Sequence, residues 1–217
     1  MKNILAFLTK LSKNNNRDWF EKNKNQYIEA KTTFEDFLEV FHKELVKIDE
    51  SLGALNPRKM AFRIYRDVRF SKDKRPYKTN FGAGFSTKGK MEQEPGFYVH
   101  IEPGKSFLAG GIYMPDAENL AKIRQEIDYN AEAFLKMMKA ASFKKYFDGL
   151  DDFDKLKTAP KGYPKDHPHI GLLQHKSFIV SYNFADKDVA SPHFHKELAK
   201  VAKAIQPLNA FLKQALA

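Results

Sequence analysis

The sequence predicts a single α+β domain over residues 1–217, with a mainly antiparallel sheet of about five strands packed by N-terminal and C-terminal helices. Three observations predict it. Apolar residues recur every three or four positions over the first fifty residues, every second position after Met60, and every three or four again after Pro115. Glu102-Pro103-Gly104-Lys105, between two period-two runs, is a hairpin signal of the kind that joins antiparallel strands. No composition shift, flexible linker, low-complexity tract or internal repeat divides the chain.

MKNILAFLTKLSKNNN carries one short apolar run interrupted by Lys10 and no small-residue cleavage pattern, so it is expected to be an amphipathic helix and not a signal peptide. Asn16 to Asp18 offers the next helix start, before Trp19, Phe20 and Tyr27. Phe34, Phe37, Leu38, Phe41, Leu45 and Ile48 form one buried helical stripe, which Gly53 and Pro57 end. Then the period changes. Phe62, Ile64, Val68 and Phe70 alternate with Arg63, Tyr65, Asp67 and Arg69 as in a half-buried strand, with Arg66 alone out of phase. Further strands are expected over Phe81 to Thr87, Gly96 to Glu102, Ser106 to Met114 and Ser177 to Phe184. Leu120, Ile123 and Ile127 form a helical stripe behind a Pro115 or Asp116 start, and Phe134, Met137 and Met138 continue a second helix after Asn130. Leu156 to Pro168, with three prolines and a glycine, is a loop before a short helix over Pro168 to Gln174. Ser191-Pro192 starts the terminal helix, whose stripe is Leu198, Val201, Ala202 and Ile205 and which Pro207 should kink or restart.

A hydrophobic content of 42% with 13% aromatic residues supplies a real core and excludes a disordered chain. The absence of cysteine excludes disulfides, thiolate catalysis and cysteine-ligated metal. No window approaches the ~20 apolar residues of a membrane span, so a soluble, cytoplasmic protein without membrane partners is expected. The net charge of +10 is concentrated: Arg58, Lys59, Arg63, Arg66, Arg69, Lys72, Lys74, Arg75 and Lys78 face only Asp67 and Asp73 within the same stretch. Anions are expected to gather there.

Two nucleotide-binding patterns fail. Gly84-Phe-Ser-Thr-Lys-Gly89-Lys90 has phosphate-loop spacing, but Met91 stands where a magnesium-binding hydroxyl belongs, and Glu92 to Gly96, with Pro95, is no helix start. Phe81-Gly-Ala-Gly-Phe85 resembles an RNA-recognition strand in the wrong order of elements. His167-Pro168-His169 and His193-Phe194-His195, with Asp166 and His175 nearby, raise metal ligation. Alternate positions share a face only on a strand, and each pair stands at a predicted helix start. A cap at Pro168 made by Asp166 or His167 and a surface role for the second pair are expected instead, with no metal site and no cofactor assigned.

If the apolar alternates face the helices, the opposite sheet face collects Arg63, Tyr65, Asp67 and Arg69, then Gly82, Gly84 and Ser86, then Tyr98, His100 and Glu102. Gly110 and Gly111 follow on the fourth strand, and Ser177, Ser181 and Asn183, or the alternate set, on the fifth. Such a face can simply meet water, or hold a salt-bridge network in which Asp67 pairs Arg63 or Arg69. Glycine within strands marks close approach of a ligand or backbone, and arginine forks onto carboxylate or phosphate.

Arg63-x-Tyr65-Arg66-Asp67-x-Arg69-Phe70-Ser71-x-Asp73-Lys74-x-Pro76-Tyr77-Lys78-Thr79 and Asn16-Arg17-Asp18-Trp19-Phe20 resemble the bacterial and fungal domain-of-unknown-function family 2461. Pro95-Gly96-Phe97-Tyr98, His100-Ile101, the Gly110-Gly111 strand, Lys161-Gly162-Tyr163 and Asp166-His167-Pro168 extend the resemblance over nearly the whole chain. It implies membership and brings no activity, cofactor or catalytic residue. The residues themselves point to a binding or catalytic site for an anionic small molecule, phosphorylated or carboxylated. Arg63, Arg69, Lys74 and Lys78 would hold the anion, Tyr65 and Tyr77 orient it, and Asp67, or His100 with Glu102, act as acid and base. For His100 a half-buried strand histidine bonded to a neighbour is the plain alternative. Two other functions compete: nucleic-acid binding by the basic segment 58–78, with Phe62, Tyr65, Phe70 and Tyr77 stacking bases, or a scaffold for an acidic protein partner. The carboxylate of Asp67 among the arginines speaks against a backbone-tracking groove.

Overall fold

The computed structural model describes residues 1–90 and 93–217. Helix α1 (Lys2–Lys13) buries Ile4, Phe7, Leu8 and Leu11, the apolar stripe of the opening segment. Helix α2 (Arg17–Lys22) begins where the Asn16 side chain accepts from the Trp19 amide at 2.9 Å, satisfying one of the free donors of a helix start. Helix α3 (Lys24–Ile48) buries Phe34, Leu38, Phe41 and Leu45. The sheet follows as β1 (Phe81–Phe85), β2 (Gly96–Ile101) and β3 (Ser106–Ile112), then α4 (Ala117–Tyr129), α5 (Ala131–Lys139), α6 (Ala141–Lys144) and α7 (Ile170–Leu173). The chain ends in β4 (Phe178–Phe184), α8 (Asp186–Val189) and α9 (Phe194–Leu216).

The fold is α+β, with helices at both ends and, among the described residues, a sheet of four antiparallel strands in the order β1-β2-β3-β4. The hairpin between β2 and β3 closes through the Lys105 amide on the Glu102 carbonyl at 2.9 Å, with Gly104 at φ +74 in the left-handed region that favours glycine. Strand alternation sorts the side chains. Phe81, Ala83, Phe85, Phe97, Val99, Leu108, Phe178 and Val180 are buried with the core that includes Phe34, Phe41, Leu198 and Ile205. The other face shows two rows across all four strands: Gly84, Tyr98, Ala109 and Ser181, and beside them Gly82, His100, Phe107 and Asn183.

Three expectations are corrected. The run from Phe62 to Phe70 is not a fifth strand: the Phe62 amide bonds the Gly82 carbonyl at 2.8 Å, and the chain then folds back on itself, with one bridge pairing Tyr65 and Tyr77. Only Ile64 and Tyr77 of this hairpin are buried, and Pro76, which has no amide, stands in the returning limb, so a ladder cannot propagate. Gly110 lies on the helix face: a side chain there would collide with Ile205 of α9, so glycine lets the helix seat against β3. Pro207 does not restart α9, the second of the two effects expected of it: the helix runs on through it while Leu208 and Leu212 remain fully buried beyond. The loop of the phosphate-like spacing closes as a turn between Ser86 and Gly89; Met91 and Glu92, which that comparison used, lie outside the described residues. Among the described residues no helix is long and apolar enough to cross a membrane.

Candidate functional site

Alternation along β2 places Tyr98, His100 and then Glu102 on the open face, and they form a chain of hydrogen bonds. The Glu102 carboxylate can only accept, so the His100 Nε2–H donates to its Oε2 at 3.2 Å. The Nδ1 lone pair is thereby left for the Tyr98 hydroxyl, which lies 3.0 Å away. Thr79 Oγ1 donates to the other carboxylate oxygen at 2.6 Å, and Asn80 Nδ2 approaches His100 Nδ1 at 3.3 Å. Phe107, opposite on β3, stacks on the imidazole with ring centres 4.6 Å apart. Burial holds the His100 pKa below its ordinary value although Glu102 pulls the other way, and burial pushes that of Tyr98 up to about 12. A neutral imidazole between a phenol and a carboxylate is a path along which a proton can move.

Tyr98 also walls a cavity of about 580 Å³ on this face. Its floor is Ala109, with Tyr98 on one side and Ser181 on the other, roughly 10 Å apart across two strand spacings. Phe62, Phe107, Ile179, Tyr113 and Phe153 make it predominantly apolar. At the Tyr98 end, Lys78 and Lys90 each carry their Nζ 5.6 Å from the ring centre of Phe62, which itself sits 6.0 Å from the Tyr98 ring. Lys78 is half-buried, and its pKa is lowered by burial first and then by the charges of Arg63 and Lys90. At the other end the Asp151 carboxylate accepts from Ser181 Oγ at 2.8 Å, and burial raises its pKa despite that bond.

Of the residues singled out from sequence, the structure thus brings His100 and Glu102 together with Lys78 near them, while Arg63, whose charge acts on Lys78, lines a separate cleft with Tyr65, Glu35 and Arg58. It does not bring the others there. Asp67 and Arg69 form a solvent-exposed pair at 2.7 Å on the loop after Ile64, and Lys74 Nζ turns inward to the Val68 carbonyl at 3.0 Å. Tyr77 is buried, stacked on Phe20 at 3.9 Å between ring centres, with Asn15 bonded to both its amide and its carbonyl. Tyr65 packs beside it at 5.4 Å. Both tyrosines fasten the loop to α2 instead of facing the cavity.

The histidine pairs stand apart from this site. His167 does not cap a helix at Pro168: its Nδ1 accepts from the His169 amide at 3.1 Å and its Nε2 meets Asp128 at 2.8 Å, while α7 starts only at Ile170. His193 precedes α9 without a side-chain cap bond. Among the described residues no three histidine or carboxylate side chains are grouped to hold a metal ion.

Sequence reasoning missed Lys90, Asp151, Tyr113 and Phe153. Period-two patterning could not reach them, because all four lie outside the strands and enter the site only through the folding of loops over the sheet edge.

No curated protein and no solved structure matches the chain. The family described as conserved hypothetical protein (DUF2461) has a model that matches residues 3–211, and the chain belongs to that family.

Proposed function

We propose that this protein binds a small anionic molecule with an apolar body, carboxylated or phosphorylated, in the cavity on the open sheet face. The acid group sits by Lys78 and Lys90, which flank Phe62, the body lies over Ala109, and His100 with Glu102 handles a proton through Tyr98. The observation that carries this is Lys78. A half-buried ammonium that has lost hydration and feels two further cations, with no carboxylate acting on it among the described residues, is in an unfavourable state that a bound anion relieves. A cytoplasmic location belongs to the same proposal.

The polyanion alternatives draw less support. Much of the basic segment is already neutralised: Arg58 by Glu35, Asp36 and Glu39 of α3, Arg66 and Arg75 by Asp73, Arg69 by Asp67. A backbone-tracking surface needs those charges free.

Calorimetric titration with 4-methylbenzoate and its neutral isostere 4-methylbenzamide tests the proposal. The carboxylate is expected to bind about tenfold tighter or better, and Lys78→Met to remove that preference while melting no lower than the parent protein, since it deletes an uncompensated cation. Equal affinity for the two probes, or a preference indifferent to Lys78, would overturn it.

A further inference from the structure

Across the floor from Lys78, the same cavity carries a second, chemically opposite end. The Asp151 carboxylate is half-buried, and its side-chain partner is the Ser181 hydroxyl at 2.8 Å; burial and Ser181 are the influences on its titration, and no cation is among them. Tyr113 and Phe153 stand beside it with ring centres 5.9 Å apart at 26°, each 57% exposed, at the wall that Asp151 also lines. The two rings stack on one another and leave much of their surface open at the cavity wall. An ammonium ion placed there meets a carboxylate that no cation pairs among the described residues and, beside it, two exposed π-systems, the combination that recognises alkylated or primary amines. A second anion is disfavoured at this end by Asp151 itself, and an uncharged group would leave the desolvated carboxylate uncompensated.

We infer that the end of the cavity formed by Asp151, Tyr113 and Phe153 is an ammonium subsite, so that the natural ligand is zwitterionic, with its acid group at the Lys78 end and an amine at the Asp151 end. This rests on the anion-binding proposal for the identity of the whole ligand, but the ammonium subsite itself stands on its own residues. The sheet supports the division. Tyr98 and Ser181 occupy one row with only Ala109 between them, so the two ends are separated by a floor that offers no polar side chain. A ligand body spanning that floor gains apolar contact with Phe62, Phe107 and Ile179 while its two charges are read separately.

Calorimetry with three probes on the full chain separates the claims: 4-methylbenzylamine, 4-methylbenzyl alcohol and 4-methylbenzoate. The amine is expected to bind about tenfold tighter than the alcohol. Asp151→Asn, which keeps the shape and a hydrogen-bonding group for Ser181, should bring the amine down to the alcohol and leave 4-methylbenzoate unchanged. Phe153→Ala, at an exposed position, should weaken the amine about threefold or more with the same selectivity. Lys78→Met should do the converse, losing 4-methylbenzoate and sparing the amine. Equal binding or absence of binding of amine and alcohol to the parent protein overturns the subsite, as does an Asp151→Asn variant that keeps the parent melting temperature and weakens all three probes alike. Loss of the 4-methylbenzoate response alone counts against the anion end and leaves the ammonium end standing.

Discussion

Gly82→Ala probes the one place where the backbone of the sheet and the chemistry of the site are in direct contact. A methyl group at position 82 would stand 2.5 Å from Tyr98 Oη and 3.0 Å from Cε2 and Cζ of the ring. Ordinary contact needs about 3.5 Å, so the tip of the phenol must retreat by about 1 Å. The hydroxyl now sits 3.0 Å from His100 Nδ1, and a retreat of that size takes it to the edge of hydrogen-bonding range or beyond. The hydroxyl and Nδ1 then lose their mutual bond, with the Asn80 amide at 3.3 Å left for Nδ1, and the loss costs about 1–3 kcal/mol, offset by about 0.5–1 kcal/mol because alanine loses less backbone entropy than glycine in a strand. The net expectation is about 1–2 kcal/mol, or a Tm lower by about 2–8 °C for a chain of this size. Thermal melts of Gly82→Ala, Tyr98→Phe and the double variant measure it, and nitrogen chemical shifts of the His100 ring report whether Nδ1 has lost its donor. In the phenylalanine background the closest clash is gone, so the alanine should cost distinctly less there. Penalties that add within about 0.5 kcal/mol would refute the account, because the glycine would then be serving the strand and not the tyrosine.

Two further outcomes test the burial arguments. His175 is 3% exposed and burial lowers its pKa from the ordinary 6.5, as it does for His100, although Asp152 and Asp154 pull the His175 value upward and Glu102 that of His100. Each ring is therefore protonated more readily unfolded than folded. The stability tied to the neutral rings is full above about pH 6.5 and is lost as the pH falls through the lower folded values. Tm should be flat near pH 7 and drop by about 3 °C or more toward pH 5, with His175→Gln flattening the fall; a parent profile level across that range would contradict the burial. Gly110→Ala should destabilise by about 1–3 kcal/mol through overpacking against Ile205, and adding Ile205→Ala should cost less in that variant than in the parent, as denaturant titration of the four proteins would show.

Where the chain obeys a period, the site could be read before any coordinate was known. The alternation of β2 places Tyr98, His100 and Glu102 together because successive side chains of a strand point to opposite faces whatever the rest of the molecule does. The same rule applied to Phe62 through Phe70 gave a strand that does not form, since alternation states which side chains share a face if a partner is present and says nothing about whether one is. Here the partner limb holds Pro76, and Phe70, the end of the apolar set, is left 97% exposed at the turn of the loop.

Charge was legible as a sum and misleading as a location. Asp73 follows Lys72 and precedes Lys74 and Arg75 in sequence, yet it is the carboxylate that gathers Arg66 and Arg75, its pKa held far below the carboxylate range first by its bonds from Arg75. A cluster that pairs internally fixes the loop and leaves little field for a ligand. The cation that matters is Lys78, the last of the basic run. The Lys78 amide bonds the Ile64 carbonyl at 2.8 Å, and that bond draws the returning limb, and with it the ammonium, toward Phe62 at the cavity wall. No local pattern distinguishes it from Lys72 or Lys74. Its distinction is that burial and two like charges act on it while, among the described residues, no carboxylate does. Asp151 is its counterpart for the same reason: Ser181 is thirty positions away, and only the passage of the chain along β4, through the Asp151 amide on the Ile179 carbonyl at 2.8 Å, turns a loop carboxylate into a cavity wall. Both ends of the proposed site are therefore set by single backbone hydrogen bonds between a loop and its neighbouring chain, which is why period-two reasoning put Tyr98, His100 and Glu102 on one face and composition named Lys78 among four cations, while neither reached Ala109, Lys90 or Asp151.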